Sequence, residues 1–298
     1  MLMTLPRRAR MALAGAAIGV VLVAVTWYLS HYVAFLRRVD VSILLGFAQL
    51  NRPRLDRLTN FIASLCDPQW YVFLAVIPLA IALARRRLRV AAMIAVVLLG
   101  ANETTQLLKP LLIAPRDPVW WSPISQASWP SGHATASMTL ALCTVIAAPP
   151  RWRPAAAATM VAFALAVCYS FLELGWHYPS DVFGGFLVAA TWTLLGIAAL
   201  SIYEARRAIP APGEAPRAIP APVRGAPRPA AVTVAQALTP MGALLGVVGV
   251  CVALILLARP APVIAYARGH EAFVLGVAAI GALGLLLAAG LTLMLRRG

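Results

Sequence analysis

The 298-residue chain is 61% hydrophobic and 12% charged, with a mean hydropathy of +0.83, a balance that excludes an ordinary water-soluble domain. A formal charge of +15 would suit nucleic acid in a soluble protein, but the arginines fall mainly in short segments between apolar runs, as topology determinants do, and a nucleic-acid partner is excluded on that distribution. The four cysteines, Cys66, Cys143, Cys168 and Cys251, are too dispersed for a disulfide or zinc framework.

Apolar length predicts an all-α integral membrane protein with about eight transmembrane helices, at roughly 11–29, 69–84, 90–108, 133–148, 155–174, 182–203, 237–258 and 271–295. Arginines precede the first run as in a signal peptide. The run continues through Trp27 and Tyr28 without a small-residue cleavage site, which makes it a retained anchor. The segment from His31 to Asp67 carries Arg37, Arg38, Arg52, Arg54 and Arg57 and reads as partly interfacial helices. Asp67-Pro68 reads as a helix cap followed by a first-turn proline.

The third run carries a polar patch, Asn102 to Gln106, in which Glu103 lies off the face of Lys109, the sole lysine of the chain. Trp120, Trp121 and Trp129 read as anchors at headgroup depth. After the sixth run a Pro-Ala-Arg stretch repeats Arg-Ala-Ile-Pro-Ala-Pro at Arg207 and Arg217, a composition that favours an extended or disordered linker. Residues 1–203 thus form a six-helix membrane domain, 204–230 a cytoplasmic linker, and 231–298 a transmembrane hairpin assigned to packing or oligomerisation.

Most basic residues fall on one side if both termini are cytoplasmic: those at 7–10, 85–89, 151–153, 206–228 and 296–297. The ends of runs three to six that carry Lys109, Ser131 to His133, Ser170, His177 and Asp181 then share the opposite, extracytoplasmic face. Ionisable groups at the ends of apolar helices are costly and call for a functional explanation. His31 and His270 have no such companions and read as structural. No Gly-rich nucleotide loop, zinc signature or serine-hydrolase elbow is present.

This polar set resembles the type 2 phosphatidic acid phosphatases, the lipid phosphate phosphatases related to vanadium haloperoxidases. Lys109 is followed after six residues by Arg116, Pro130-Ser131-Gly132-His133 is complete, and Ser170 is followed at the family spacing by His177 and Asp181, with Gly175 and Gly184-Gly185 alongside. The resemblance covers residues 60–203, with its motifs in the core at 100–186. It departs in two places: Asp117-Pro118 stands where proline alone follows the arginine, and Phe171 replaces the arginine of the third motif.

The resemblance implies a metal-independent membrane phosphatase, without cofactor, that hydrolyses a lipid-linked phosphate or polyprenyl diphosphate; the high arginine-to-lysine ratio and alanine content point to a bacterial plasma membrane. His177 would attack phosphorus to form a phosphohistidine, Asp181 would fix its tautomer, and His133 would protonate the leaving oxygen and then activate water. Lys109, Arg116, Ser131 and the Gly132 amide would bind the phosphate, with Ser170 behind them. Phe171 offers neither charge nor donors, which leaves open a lipid phosphotransferase using the same histidine, or a non-catalytic lipid-binding protein.

Overall fold

The computed structural model describes residues 5–116, 119, 124–207 and 233–296, without the side chains of 236–238. The described residues are almost entirely helical: α1 (Arg7–Tyr32), α2 (Ala34–Leu50), α3 (Asp56–Ser64), α4 (Pro68–Ala84), α5 (Leu88–Leu111), α6 (Gly132–Ala147), α7 (Arg153–Glu173), α8 (Pro179–Arg207), α9 (Val234–Ala258), α10 (Pro260–Gly269) and α11 (Glu271–Arg296). All eight expected runs are helices, and α2, α3 and α10 add to them. Among the described residues six helices are long and apolar enough to cross a membrane, α3 and α4 form a pair bent by 60°, and α6 is shorter.

α6 is the shaft of the bundle. Every residue from Ala134 to Ala147 is buried, which is why the helix shows no polar face: α4, α5, α7, α8 and α11 surround it. Its 16 residues span only about 24 Å, shorter than the ~30 Å hydrocarbon core of a bilayer. The outer helices show the opposite pattern, with Phe73 68%, Leu99 67% and Leu257 80% exposed. Such surfaces suit contact with lipid.

Arginines finish the far end of the shaft. Arg85 donates to the Ala147 carbonyl at 2.6 Å and Arg87 to the Ile146 carbonyl at 3.1 Å, satisfying orphan acceptors where the helix dipole is negative. Arg153 donates to the Leu295 carbonyl at 3.0 Å, so the end of α11 meets the start of α7 at this same end of the bundle. α11 buries Gly276, Ile280, Gly284, Ala288, Leu291 and Leu295 against the six-helix unit, while α9 leans on α7. α2 is likewise no surface helix: it packs against α1, α7, α8 and α11 and buries Asp40. The expected linker begins later than 204, since α8 continues to Arg207; residues 208–232 lie outside the described residues, as do Trp120 and Trp121.

Two glycines set the polar end. α7 stops in a Schellman turn, with Gly175 at φ 70°, the Gly175 amide donating to Leu172 and the Trp176 amide to Phe171. The turn aims the next residues back at the bundle. Gly185 lets α8 touch the start of α6: a Cβ there would lie 2.7 Å from the Ser131 carbonyl oxygen and 2.9 Å from the Thr135 amide nitrogen. Those neighbours are backbone and cannot rotate away. Gly185→Ala is therefore expected to cost about 1–3 kcal/mol, read as a lower unfolding midpoint of the detergent-purified protein; an unchanged midpoint would show that the two helices separate freely.

Candidate active site

The start of α6, the ends of α5 and α7, and the start of α8 meet at one end of the bundle. Ser131 caps α6, its Oγ accepting from the Ala134 amide at 3.3 Å, and its own amide donates to the Asp181 carbonyl at 3.0 Å. The first turn of α6 is thereby fixed to the first turn of α8. A Cβ on Gly132 would lie 3.8 Å from Lys109 Nζ and 3.4 Å from Gln106 Nε2, so the one lysine reaches the helix start where backbone amides favour an anion. Gln106 was visible only as part of a polar patch; its neighbours serve packing, Thr105 with Thr135 and Thr104 with Trp192.

His177 follows the Gly175 turn. Its Nδ1 lies 3.2 Å from Asp181 Oδ2, which also accepts from the Tyr178 amide at 3.1 Å. With the Nδ1 proton held by Asp181, Nε2 is the nitrogen left with a free lone pair. The His133 ring stands 6.2 Å from that of His177, centroid to centroid. Phe171, fully buried, lies edge-on to His177 at 5.3 Å and 5.8 Å from His133, so the residue at the departure from the family pattern forms an apolar wall shared by both imidazoles.

Arg116 does not extend toward this space. Its guanidinium is 2.9 Å from Asp181 Oδ1 and 3.6 Å from Asp40 Oδ2, donates to Ser180 Oγ and His31 Nε2 at 3.0 Å each, and lies over the Tyr178 ring at 4.5 Å. The family resemblance implied a phosphate ligand; in the structure the guanidinium is held in a buried clamp. His31 is structural as expected, but its role is definite: Nδ1 donates to the Trp27 carbonyl, leaving Nε2 to accept from Arg116. Asp40 completes the clamp by accepting from the Ser180 amide and hydroxyl at 2.9 and 2.6 Å. A carboxylate inside the apolar run Val39-Asp40-Val41 was the sequence signal for it.

Three other expectations change. Ser170 is buried and donates to the Ala166 carbonyl of its own helix at 2.9 Å, not to a histidine. Trp129 is 1% exposed with its indole against Gly184, so it is a packing residue and not a headgroup anchor. Asp67 occupies the cap position of α4 without a side-chain cap bond; its Oδ1 instead lies 3.0 Å from His133 Nε2. Asp117 lies outside the described residues. Among the described residues no group of three or more His, Cys, Asp or Glu could hold a metal ion.

Fold and site together define a class: a multi-pass helical membrane protein in which two histidines, each held by a carboxylate, flank an anion-favouring helix start near a lysine. Residues 88–201 match the family model of the PAP2 superfamily. A solved structure, described as the first transmembrane PAP2 type phosphatidylglycerolphosphate phosphatase from Bacillus subtilis, is similar in fold, with a TM-score of 0.51 at 20% identity over 62% of this chain and 93% of that one. No curated protein matches the chain significantly.

The clamp has measurable consequences. Burial raises the Asp40 carboxyl to about 6, opposed by Arg116 and the Ser180 hydrogen bonds. The folded protein then binds more protons than the unfolded chain between about pH 4 and 6, so this residue's contribution to stability falls as pH rises through that window, and Asp40→Asn should flatten it. Arg116→Met leaves two buried carboxylates unpaired and is expected to cost about 3–5 kcal/mol, partly recovered by adding Asp40→Asn. A raised KM at unchanged unfolding midpoint would instead make Arg116 a substrate ligand.

Proposed function

We propose that this protein is a membrane phosphatase that hydrolyses a lipid-linked phosphate or diphosphate through a phosphohistidine at His177. The observation that carries the reading is the His177–Asp181 pair facing His133 beside the start of α6. His177 Nε2 attacks phosphorus, and Asp181 stabilises the positive charge that develops on the ring. His133 protonates the departing oxygen and then takes a proton from the attacking water. Lys109 and the α6 amides near Gly132 neutralise the phosphoryl oxygens, while Ser131 holds the helix start in place by capping it.

The chemistry needs no metal in this reading. The arginine-rich end of the bundle, with Arg85, Arg87 and Arg153, is the cytoplasmic end of a bacterial plasma-membrane protein, and the site faces the outer leaflet. The tail of the substrate stays in the bilayer, and the phosphate reaches the start of α6 from the headgroup layer.

One observation favours a second reading, transfer of a phosphoryl or substituted phosphoryl group to a lipid or sugar hydroxyl. Phe171 supplies no guanidinium and Arg116 is held in its clamp, so Lys109 carries the cationic share beside Gly132, which suits a donor bearing less charge than a dianionic monoester.

Phosphate release from a panel of lipid phosphates and diphosphates, measured with detergent-purified full-length protein in EDTA, tests both readings. Release is expected to persist in EDTA, to disappear in His177→Ala and to drop about 10²–10⁴-fold in His133→Ala. Loss of wild-type release in EDTA would end the metal-independent mechanism. Product formation only when an acceptor alcohol is added would decide for transfer.

A further inference from the structure

We infer that Asp67 is a positioning residue for His133, binding the Nε2 proton of that imidazole so that Nδ1 becomes the nitrogen that exchanges a proton with the substrate. The inference rests on the phosphohistidine reading above and assigns a role to a residue outside the three sequence motifs.

Asp67 stands at the bend between α3 and α4, just before the first-turn proline of α4. Aspartate at that position ordinarily turns its carboxylate onto the free amides of the helix start. Here it does not: the main-chain carbonyl of Asp67 accepts from the Trp70 and Tyr71 amides, and the side chain leaves the helix and reaches His133 Nε2 at 3.0 Å. The carboxylate thus gives up its local partner for one 66 residues away in the chain. The charged and titratable groups facing His133 are Asp67 from the α3–α4 bend, Lys109 from α5 and His177 from the turn before α8, while Phe171 and Trp176 supply aromatic rings. Asp67 is the one that makes a hydrogen bond to the ring in this set.

The two histidine–carboxylate pairs are complementary. Asp181 takes the Nδ1 proton of His177 and frees Nε2, whereas Asp67 takes the Nε2 proton of His133 and frees Nδ1. In the first half-reaction the His177 Nε2 lone pair forms the N–P bond as the P–O bond to the alcohol breaks. The bonding pair stays on that oxygen, which receives the proton from His133 Nδ1. His133 passes from imidazolium to neutral imidazole with its Nε2–H still donated to Asp67. In the second half-reaction Nδ1 takes a proton from the water that attacks phosphorus, and the N–P electrons return to His177. A carboxylate on Nε2 keeps the acid form available for the first step and the reactive tautomer in place for the second.

Proton donation matters most when the departing oxygen is a poor leaving group, which gives a test that a purely structural role would not pass. kcat/KM, which reads the steps up to departure of the alcohol, is measured for a short-chain phosphatidate and for p-nitrophenyl phosphate with full-length wild type, Asp67→Asn and Asp67→Glu in detergent. Asp67→Asn should lose about 10²-fold on the alkyl ester and less than about threefold on the aryl ester, with Asp67→Glu recovering part of the alkyl loss. Equal losses on both esters, or none on either, would overturn the role of Asp67 while leaving the phosphatase intact. No phosphate release from either ester by the wild type would instead remove the phosphatase reading, and this inference with it.

Discussion

The Asp181 carboxylate is fully buried, and most of the polar end of the bundle is arranged around that fact. A fully buried carboxylate is tolerated only when protein groups replace its hydration. One oxygen takes His177 Nδ1 and the Tyr178 amide, the other takes Arg116. Arg116, brought in to neutralise one acid, must itself be surrounded, which draws in His31 from α1, Asp40 from α2 and Ser180 beside Asp181 on α8. The main-chain carbonyl of the same aspartate accepts from Ser131 and so fixes the start of α6. The orientation of one imidazole and the position of the anion-favouring helix start are thus consequences of solvating a single group.

That arrangement depends on close backbone approach. α8 can deliver Asp181 to the start of α6 only because Gly185 presents no side chain to Ser131 and Thr135, and Gly184 leaves room for the Trp129 indole. The Schellman turn at Gly175 makes the preceding reversal. Steric permission at three glycines and electrostatic demand at one carboxylate act on the same few turns of helix. This explains why an apolar bundle with a membrane-facing exterior keeps so ordered a polar end.

Hydrophobic length was enough to find every long helix, because lipid demands uninterrupted apolar stretches and the sequence has them. The family resemblance singled out His133, His177 and Asp181, and the structure brings these three side chains together at one end of the bundle. What was illegible depended on direction and not on position. Arg116 sits at the family spacing, yet only the buried acids across the bundle determine that its guanidinium turns inward. Asp67-Pro68 has the local grammar of a helix cap, and no local rule signals that the carboxylate prefers a histidine on another helix. Trp129 is as amphipathic as its neighbours at 120 and 121; the gap left by Gly184 makes it a core residue. The arginines that interrupt α2 and α3 allowed only a general reading of interfacial helices there, with no sign that α2 supplies Asp40 to the clamp.

Phe171 ties these threads together. In the family pattern its place belongs to a cation, and here it is an apolar wall against which both imidazoles lie. An arginine at that depth would need its own carboxylate or a permanent anion to be tolerated, and the two fully or largely buried carboxylates nearest the clamp, Asp181 and Asp40, are already committed to Arg116. Phenylalanine removes that demand and lines the space between the histidines with an apolar ring. On the proposed mechanism the substrate's charge is then met by Lys109 and the α6 amides, groups that approach from one side. A phosphoryl group in this site would be held by a lysine and a helix end while its leaving oxygen faced His133. The selectivity of such a site would follow from how much charge the substrate brings rather than from how many forks the protein can offer it.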